Sequence, residues 1–268
     1  MIRTALIAAG ALAVAGASGA QERPYAPLPS PVSATCANGL CQPGALASLF
    51  TALDRPGRPV RMVQFGDSHT AGGDIAASLM WRLRGRFEGR EIALSAHGEV
   101  GATLNAMAGT EPLLAPGDGT PDLVVIAYGT NEGFDELLDP AAYEALLRGQ
   151  IARVRQAAPG ASILILGAPE AMRGDGGGTC PGDVEQRWKA PAMLSVVRDV
   201  QHRVAASTGV AFWDWKGRMG GDCSAFALTQ GDAPLMRGDH VHFTGPGGDW
   251  IGSLLFADLM TAYDRRGF

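Results

Sequence analysis

The sequence is short of charge, of aromatic residues and of cysteine. Asp, Glu, Lys and Arg make up 18% of its 268 residues, Phe, Trp and Tyr 7%, and there are four cysteines. Basic residues are in the minority, 22 against 27 acidic ones, for a net charge of −5. Nucleic-acid binding requires a basic footprint, so that class is excluded. Beyond residues 1–20 no apolar run approaches the length of a membrane span, so stable membrane insertion is not expected. Common site signatures are also missing. There is no Walker A loop, no G-x-G-x-x-G, no H-E-x-x-H and no G-x-S-x-G elbow. Their absence argues against nucleotide binding, zincin chemistry and the usual α/β-hydrolase site.

What is present is a 46% apolar composition, enough for a sizeable core, with 37 glycines and 17 prolines marking a loop-rich chain. The N-terminus reads as a signal peptide. Arg3 supplies a positive start, Thr4 to Gly16 is almost wholly Ala, Leu, Ile, Val and Gly, and Ser18-Gly19-Ala20 offers small residues for cleavage before Gln21. Export implies an oxidising compartment, the periplasm, where an even cysteine count favours disulfides. Of three possible connectivities the expected one joins Cys36 to Cys41 and Cys180 to Cys223. Zinc is not expected, because these spacings lack the paired C-x-x-C pattern.

Residues 21–42 are proline-rich and read as an extended N-terminal segment, followed by one domain over 43–268. Ala45 to Leu53 reads as a short helix. Strands are expected at Val60–Phe65, Glu91–Ala96, Asp122–Tyr128, Ser162–Leu166 and Val210–Trp215. DLVVIAY and SILIL are continuous apolar runs, the mark of strands buried on both faces. Helices are expected at Gly73–Phe87, Pro140–Ala158, Ala190–Ser207 and Gly247–Tyr263. The alternation predicts an α/β fold, a three-layer α/β/α sandwich around a five-stranded parallel sheet. Ligands bind such sheets beyond the carboxyl ends of the strands.

Ser68 stands there, between a strand and a helix. It is either a nucleophile favoured by nearby amides or a plain helix cap beside Asp67 and Thr70. A serine nucleophile needs a base, and there are five histidines. His202 falls on a helix surface, and His97 in a loop without a carboxylate. Asp239-His240-Val241-His242 places a carboxylate and two imidazoles before the final helix, where Asp239 could hold the His242 ring. The alternative is a polar turn with Thr244 capping that helix. Acyl chemistry also needs oxyanion donors, for which the Ser68 amide, the Gly101 amide and the Asn131 side chain are candidates. Gly101 and Asn131 could equally be turn residues. Glu132 and Glu170 read more readily as structural than as substrate contacts. Trp213 and Trp215 alternate in a strand and are either core or sugar-stacking residues. His69 and His240 have no assigned part.

This set resembles the SGNH (GDSL-type) hydrolase family. GDSH 66–69, GEVGAT 98–103, GTNE 129–132 and DHVH 239–242 match its four blocks in order. A narrower resemblance, to the peptidoglycan O-acetylesterase branch, lies in VRMVQFGDSHTAG, PDLVVIAYGTNEGF, FWDWKGRMGGDCSAF and DHVHFTGPGG. It implies a flavodoxin-like SGNH hydrolase fold and a catalytic triad of Ser68, His242 and Asp239. The oxyanion hole would be Ser68, Gly101 and Asn131. The reaction needs no metal or cofactor, and the substrate would be an O-acetylated glycan of the cell wall. One departure stands out. Some members of the branch carry a carbohydrate-binding module between the first two blocks, whereas here only 32 residues separate Ser68 from Gly101. Glycan recognition would then fall to loops at 167–185 and 213–235. The alternatives are an esterase, lysophospholipase or acetyltransferase acting on another acyl ester, and a non-catalytic wall-binding protein.

Overall fold

The computed structural model describes residue 36, residues 39–114 and residues 119–266. The expected signal peptide, and most of the expected extended segment at 21–42, lie outside the described residues. Among the described residues no helix is long and apolar enough to cross a membrane.

Six strands form one sheet: β1 (Leu40–Cys41), β2 (Val60–Gly66), β3 (Ile92–Gly98), β4 (Leu123–Ala127), β5 (Ser162–Leu166) and β6 (Ala211–Trp213). Their spatial order is β1-β6-β5-β4-β2-β3. The five strands expected from the sequence, β3, β2, β4, β5 and β6, are joined by four pairings, all parallel. The sixth strand was not expected. β1 adds antiparallel to β6, with Leu40 opposite Trp213, so the sheet is mixed and not purely parallel. At two residues it is too short to leave a periodic signal in the sequence.

Both faces of the sheet are covered, and alternation along each strand divides one apolar run between two cores. Leu123, Val125 and Ala127 enter one core with Leu164, Leu166 and Trp213. Val124 and Ile126 enter the other with Ile163, Ile165 and Phe212. The first core is roofed by α1 (Ala47–Asp54), α3 (Asp74–Arg86) and α9 (Gly245–Arg265). The second is roofed by α5 (Pro140–Ala157) and α6 (Ala192–Thr208). This is the expected three-layer sandwich. Burying four aliphatic side chains of one strand stabilises by roughly 1.5–3 kcal/mol each relative to exposure.

Local boundaries differ in instructive places. A short helix α2 (Ser68–Gly72) precedes α3, and the chain breaks between them at Gly73, whose φ is +78°. The last parallel strand stops at Trp213, because the Asp214 carboxylate caps a helix, α7 (Trp215–Met219), by accepting from the Gly217 amide, and a short α8 (Ser224–Ala227) follows. His97 lies within β3, stacked 5.5 Å from the Phe65 ring, and not in a loop. His202 is half-buried against the Cys36–Cys41 disulfide, its Nε2 3.3 Å from Cys41 Sγ, and is not a free surface residue. Cys36 pairs with Cys41 and Cys180 with Cys223, as expected.

Candidate active site

The strand order reverses at β2, which has β3 on one side and β4 on the other. Such a switch point opens a crevice beyond the carboxyl ends of the strands. Glycine makes it tight. A Cβ on Gly66 would stand 2.6 Å from the Ala127 carbonyl, and one on Gly98 would stand 2.2 Å from the Ala71 amide. α2 therefore sits directly on the ends of β2 and β3, with Ser68 as its first residue.

Asp67 caps α2 through the His69 amide at 3.0 Å. The Ser68 hydroxyl donates to His242 Nε2 at 2.9 Å. His242 Nδ1–H donates to Asp239 Oδ2 at 2.8 Å. The other Asp239 oxygen accepts the amides of Val241 and His242, each at 2.9 Å. Partial burial alone would raise the Asp239 pKa, but these donors outweigh it and hold the carboxyl below its ordinary value. Thr244 caps α9 by accepting from the Gly247 amide, so the turn has its expected structural duty as well.

Two of the expected oxyanion donors, Gly101 and Asn131, lie on segments that are hydrogen-bonded to each other. Gly101 has φ +78° in a turn closed by the Ala102 amide on the Glu99 carbonyl, a conformation that needs glycine. The Asn131 amide donates to the Ala102 carbonyl at 2.7 Å, which joins the Gly101 turn to α4 (Thr130–Gly133). Among the described residues the Ser68 and Gly101 amides donate to no other group. A cavity of about 320 Å³ opens over Ser68 and His242, with Val100, Ile75 and Phe243 as apolar wall and Arg237 and Asp74 as charged wall. Gly101 and Asn131 are not among its lining residues; Val100 is the part of that turn that reaches it.

Other residues singled out in the sequence take structural places. Glu132 is buried and accepts the Leu104 amide at 2.6 Å, pinning the chain just past the Gly101 turn. Burial raises its pKa, partly offset by that bond. Glu170 is buried between Arg198 and Lys216, at 3.6 and 3.9 Å. Trp213 and Trp215 are core residues and do not stack on sugars. Trp213 donates to Asp258 at 2.8 Å, and Trp215 packs between Phe243 and the His69 ring. His240 is buried, with φ +57°, and stacks 3.6 Å from Trp188. Trp188 was missed by sequence reasoning. It stands in a polar loop with no periodicity, and only the Cys180–Cys223 staple hints that this loop has a fixed place.

Comparison with known proteins follows the same lines. A family model described as the GDSL-like Lipase/Acylhydrolase family matches residues 65–250. No curated protein sequence matches the chain. Among solved structures, a peptidoglycan O-acetylesterase is similar with a TM-score of 0.71 at 21% identity, over 83% of this chain and 96% of that one. A two-domain esterase active on acetylated mannans is similar with a TM-score of 0.61 at 17% identity, over 85% of this chain and 56% of that one. A lipase/acylhydrolase from Enterococcus faecalis is similar with a TM-score of 0.56 at 20% identity, over 77% and 96%.

Proposed function

The chain belongs to the GDSL-like lipase/acylhydrolase family, and on that footing we propose that this carboxylic-ester hydrolase is an exported O-acetylesterase acting on peptidoglycan. The observation that carries the reading is the unbroken relay from Asp239 through His242 to the Ser68 hydroxyl, at 2.8 and 2.9 Å, under an open cavity.

Ser68 Oγ attacks the acetyl carbonyl while His242 Nε2 takes its proton. Asp239 holds Nδ1–H, so that Nε2 is the free acceptor, and it stabilises the imidazolium that forms. The oxyanion is met by the Ser68 and Gly101 amides and by the second N–H of Asn131, the first being held by Ala102. His242 returns the proton to the departing sugar hydroxyl. An acetyl-Ser68 ester remains. Water, deprotonated by His242, then releases acetate and restores the serine.

Two observations favour acetyl on a glycan. The cavity stands at the small end of ligand pockets, which run from about 300 to 1,000 Å³. Similar folds include esterases of acetylated polysaccharides. The two disulfides fit an oxidising compartment, consistent with export. The apolar wall of Ile75, Val100 and Phe243 favours a second reading, hydrolysis of a longer acyl ester.

The test is acetate release from O-acetylated peptidoglycan by the chain from Gln21 onward, with Ser68→Ala beside it. Serine-dependent release supports the proposal. Serine-dependent cleavage of aryl esters that rises from acetyl to octanoyl, without release from peptidoglycan, supports the second reading. Inactivity of the folded protein on both would sink the catalytic reading and favour a wall-binding role.

A further inference from the structure

Resting on the Ser68–His242 reading, we infer that His69 is a positioning residue: a buried imidazolium that ties the nucleophile's helix to the loop of the base. The two residues of each segment make parallel links. Ser68 meets His242 at 2.9 Å, and the next residue, His69, meets Val241, the residue before His242, through Nε2 and the Val241 carbonyl, also at 2.9 Å. A carbonyl only accepts, so Nε2 carries a proton. The other nitrogen, Nδ1, faces Asp67 Oδ1 at 3.1 Å. With an acceptor at each end, the ring is satisfied only when both nitrogens are protonated.

The surroundings agree. The His69 and Asp67 side chains are 4% and 2% exposed, and a buried charge persists only when paired. Burial opposes the charged ring, yet the Asp67 carboxylate and the Val241 carbonyl outweigh it and raise the His69 pKa. Burial likewise opposes the charged Asp67, yet His69 and the Thr130 hydroxyl hold its pKa down. Trp215 presents its ring at 5.3 Å from α7, and Phe243 its ring at 6.1 Å, so neither adds charge. The charged groups facing His242 are then Asp239 on its own loop, the Asp67–His69 pair below, and Asp74 and Arg237 across the cavity. His240 points away, to the Gly238 carbonyl and Thr229.

Replacing His69 by Gln removes the charged ring that bridges Asp67 and the Val241 carbonyl. Loss of the tether should lower kcat about 10- to 100-fold through misplacement of the base.

The experiment pairs His69→Gln, assayed on an aryl acetate from pH 5 to 9, with nitrogen-15 histidine NMR of the unsubstituted enzyme. Expected are a loss in kcat with KM within a few-fold, held from pH 5 to 9, and a His69 ring doubly protonated at pH 8. An unchanged kcat, or a KM that rises as far as kcat falls, would reduce His69 to a packing residue. A singly protonated His69 ring at pH 8 would overturn the inference even if the variant failed to fold. Retained hydrolysis in Ser68→Ala would instead remove the triad on which the inference rests.

Discussion

Asp239→Asn separates the two duties of the carboxylate in the proposed triad. One Asp239 oxygen accepts two backbone amides and the other accepts one imidazole N–H. An asparagine has a single acceptor oxygen. Turned to the amides it keeps two hydrogen bonds, each worth about 1 kcal/mol; turned to His242 it keeps one and sets its own NH2 against two N–H donors. The oxygen therefore stays with the amides, and the NH2 faces His242 Nδ1. That ring must then carry its proton on Nε2, where it points at Ser68 and cannot accept. Turnover should fall about 10⁴-fold, about 5.5 kcal/mol of transition-state stabilisation. Melting should hardly change, because the loop keeps its two bonds. In Asp239→Ala nothing forces the wrong tautomer, so its loss in turnover should be no larger. The assay is kcat/KM on an aryl acetate, with thermal melting of each variant. An Asn variant within tenfold of the parent at equal melting temperature would refute the tautomer argument and with it the role of Asp239.

Three further outcomes are expected. Asn131→Ala should lose about 10²–10³ in kcat if its second N–H meets the oxyanion; unchanged turnover would take it out of the site. Glu132→Ala orphans the Leu104 amide, at a cost of about 1–3 kcal/mol, while Glu132→Gln keeps an acceptor there and should restore most of the stability in a denaturant titration. The Asp67–His69 pair predicts a pH window for stability. The Asp67 contribution is complete above its unfolded pKa of about 3.9 and is lost as pH falls through its lowered folded value; the His69 contribution is complete below about 6.5 and is lost as pH rises through its raised folded value. The melting gap between the parent and His69→Gln should thus be widest from about pH 4 to 6.5, and a gap that grows steadily toward pH 9 would contradict the pairing.

Signals that act within a few residues were legible. The runs DLVVIAY and SILIL announce strands buried on both faces, and the structure divides each between two cores. Asp239 and His242 are three apart, a spacing at which one carboxylate can hold a turn and the ring that ends it. Glycines 66, 98 and 101 mark where backbones close up or turn to positive φ. The order of the four blocks along the chain also follows from the sequence, and with it the family expectation.

Only the tertiary structure decided what meets across the sheet. Ser68 and His242 are 174 residues apart, and His69 and Val241 172. Their contacts exist because the strand order reverses at β2, which no local pattern encodes. The same holds for Trp188 on His240, for Glu132 under the Gly101 turn, and for Trp213 and Trp215, whose alternation allowed either face until the helices on each side were placed. The edge strand β1 is two residues long and gains its identity from β6 alone. Residue type and short-range spacing determined which groups can do acyl chemistry. Closing the chain around a switch point decided which of them face one another, because that depends on packing between segments more than a hundred residues apart.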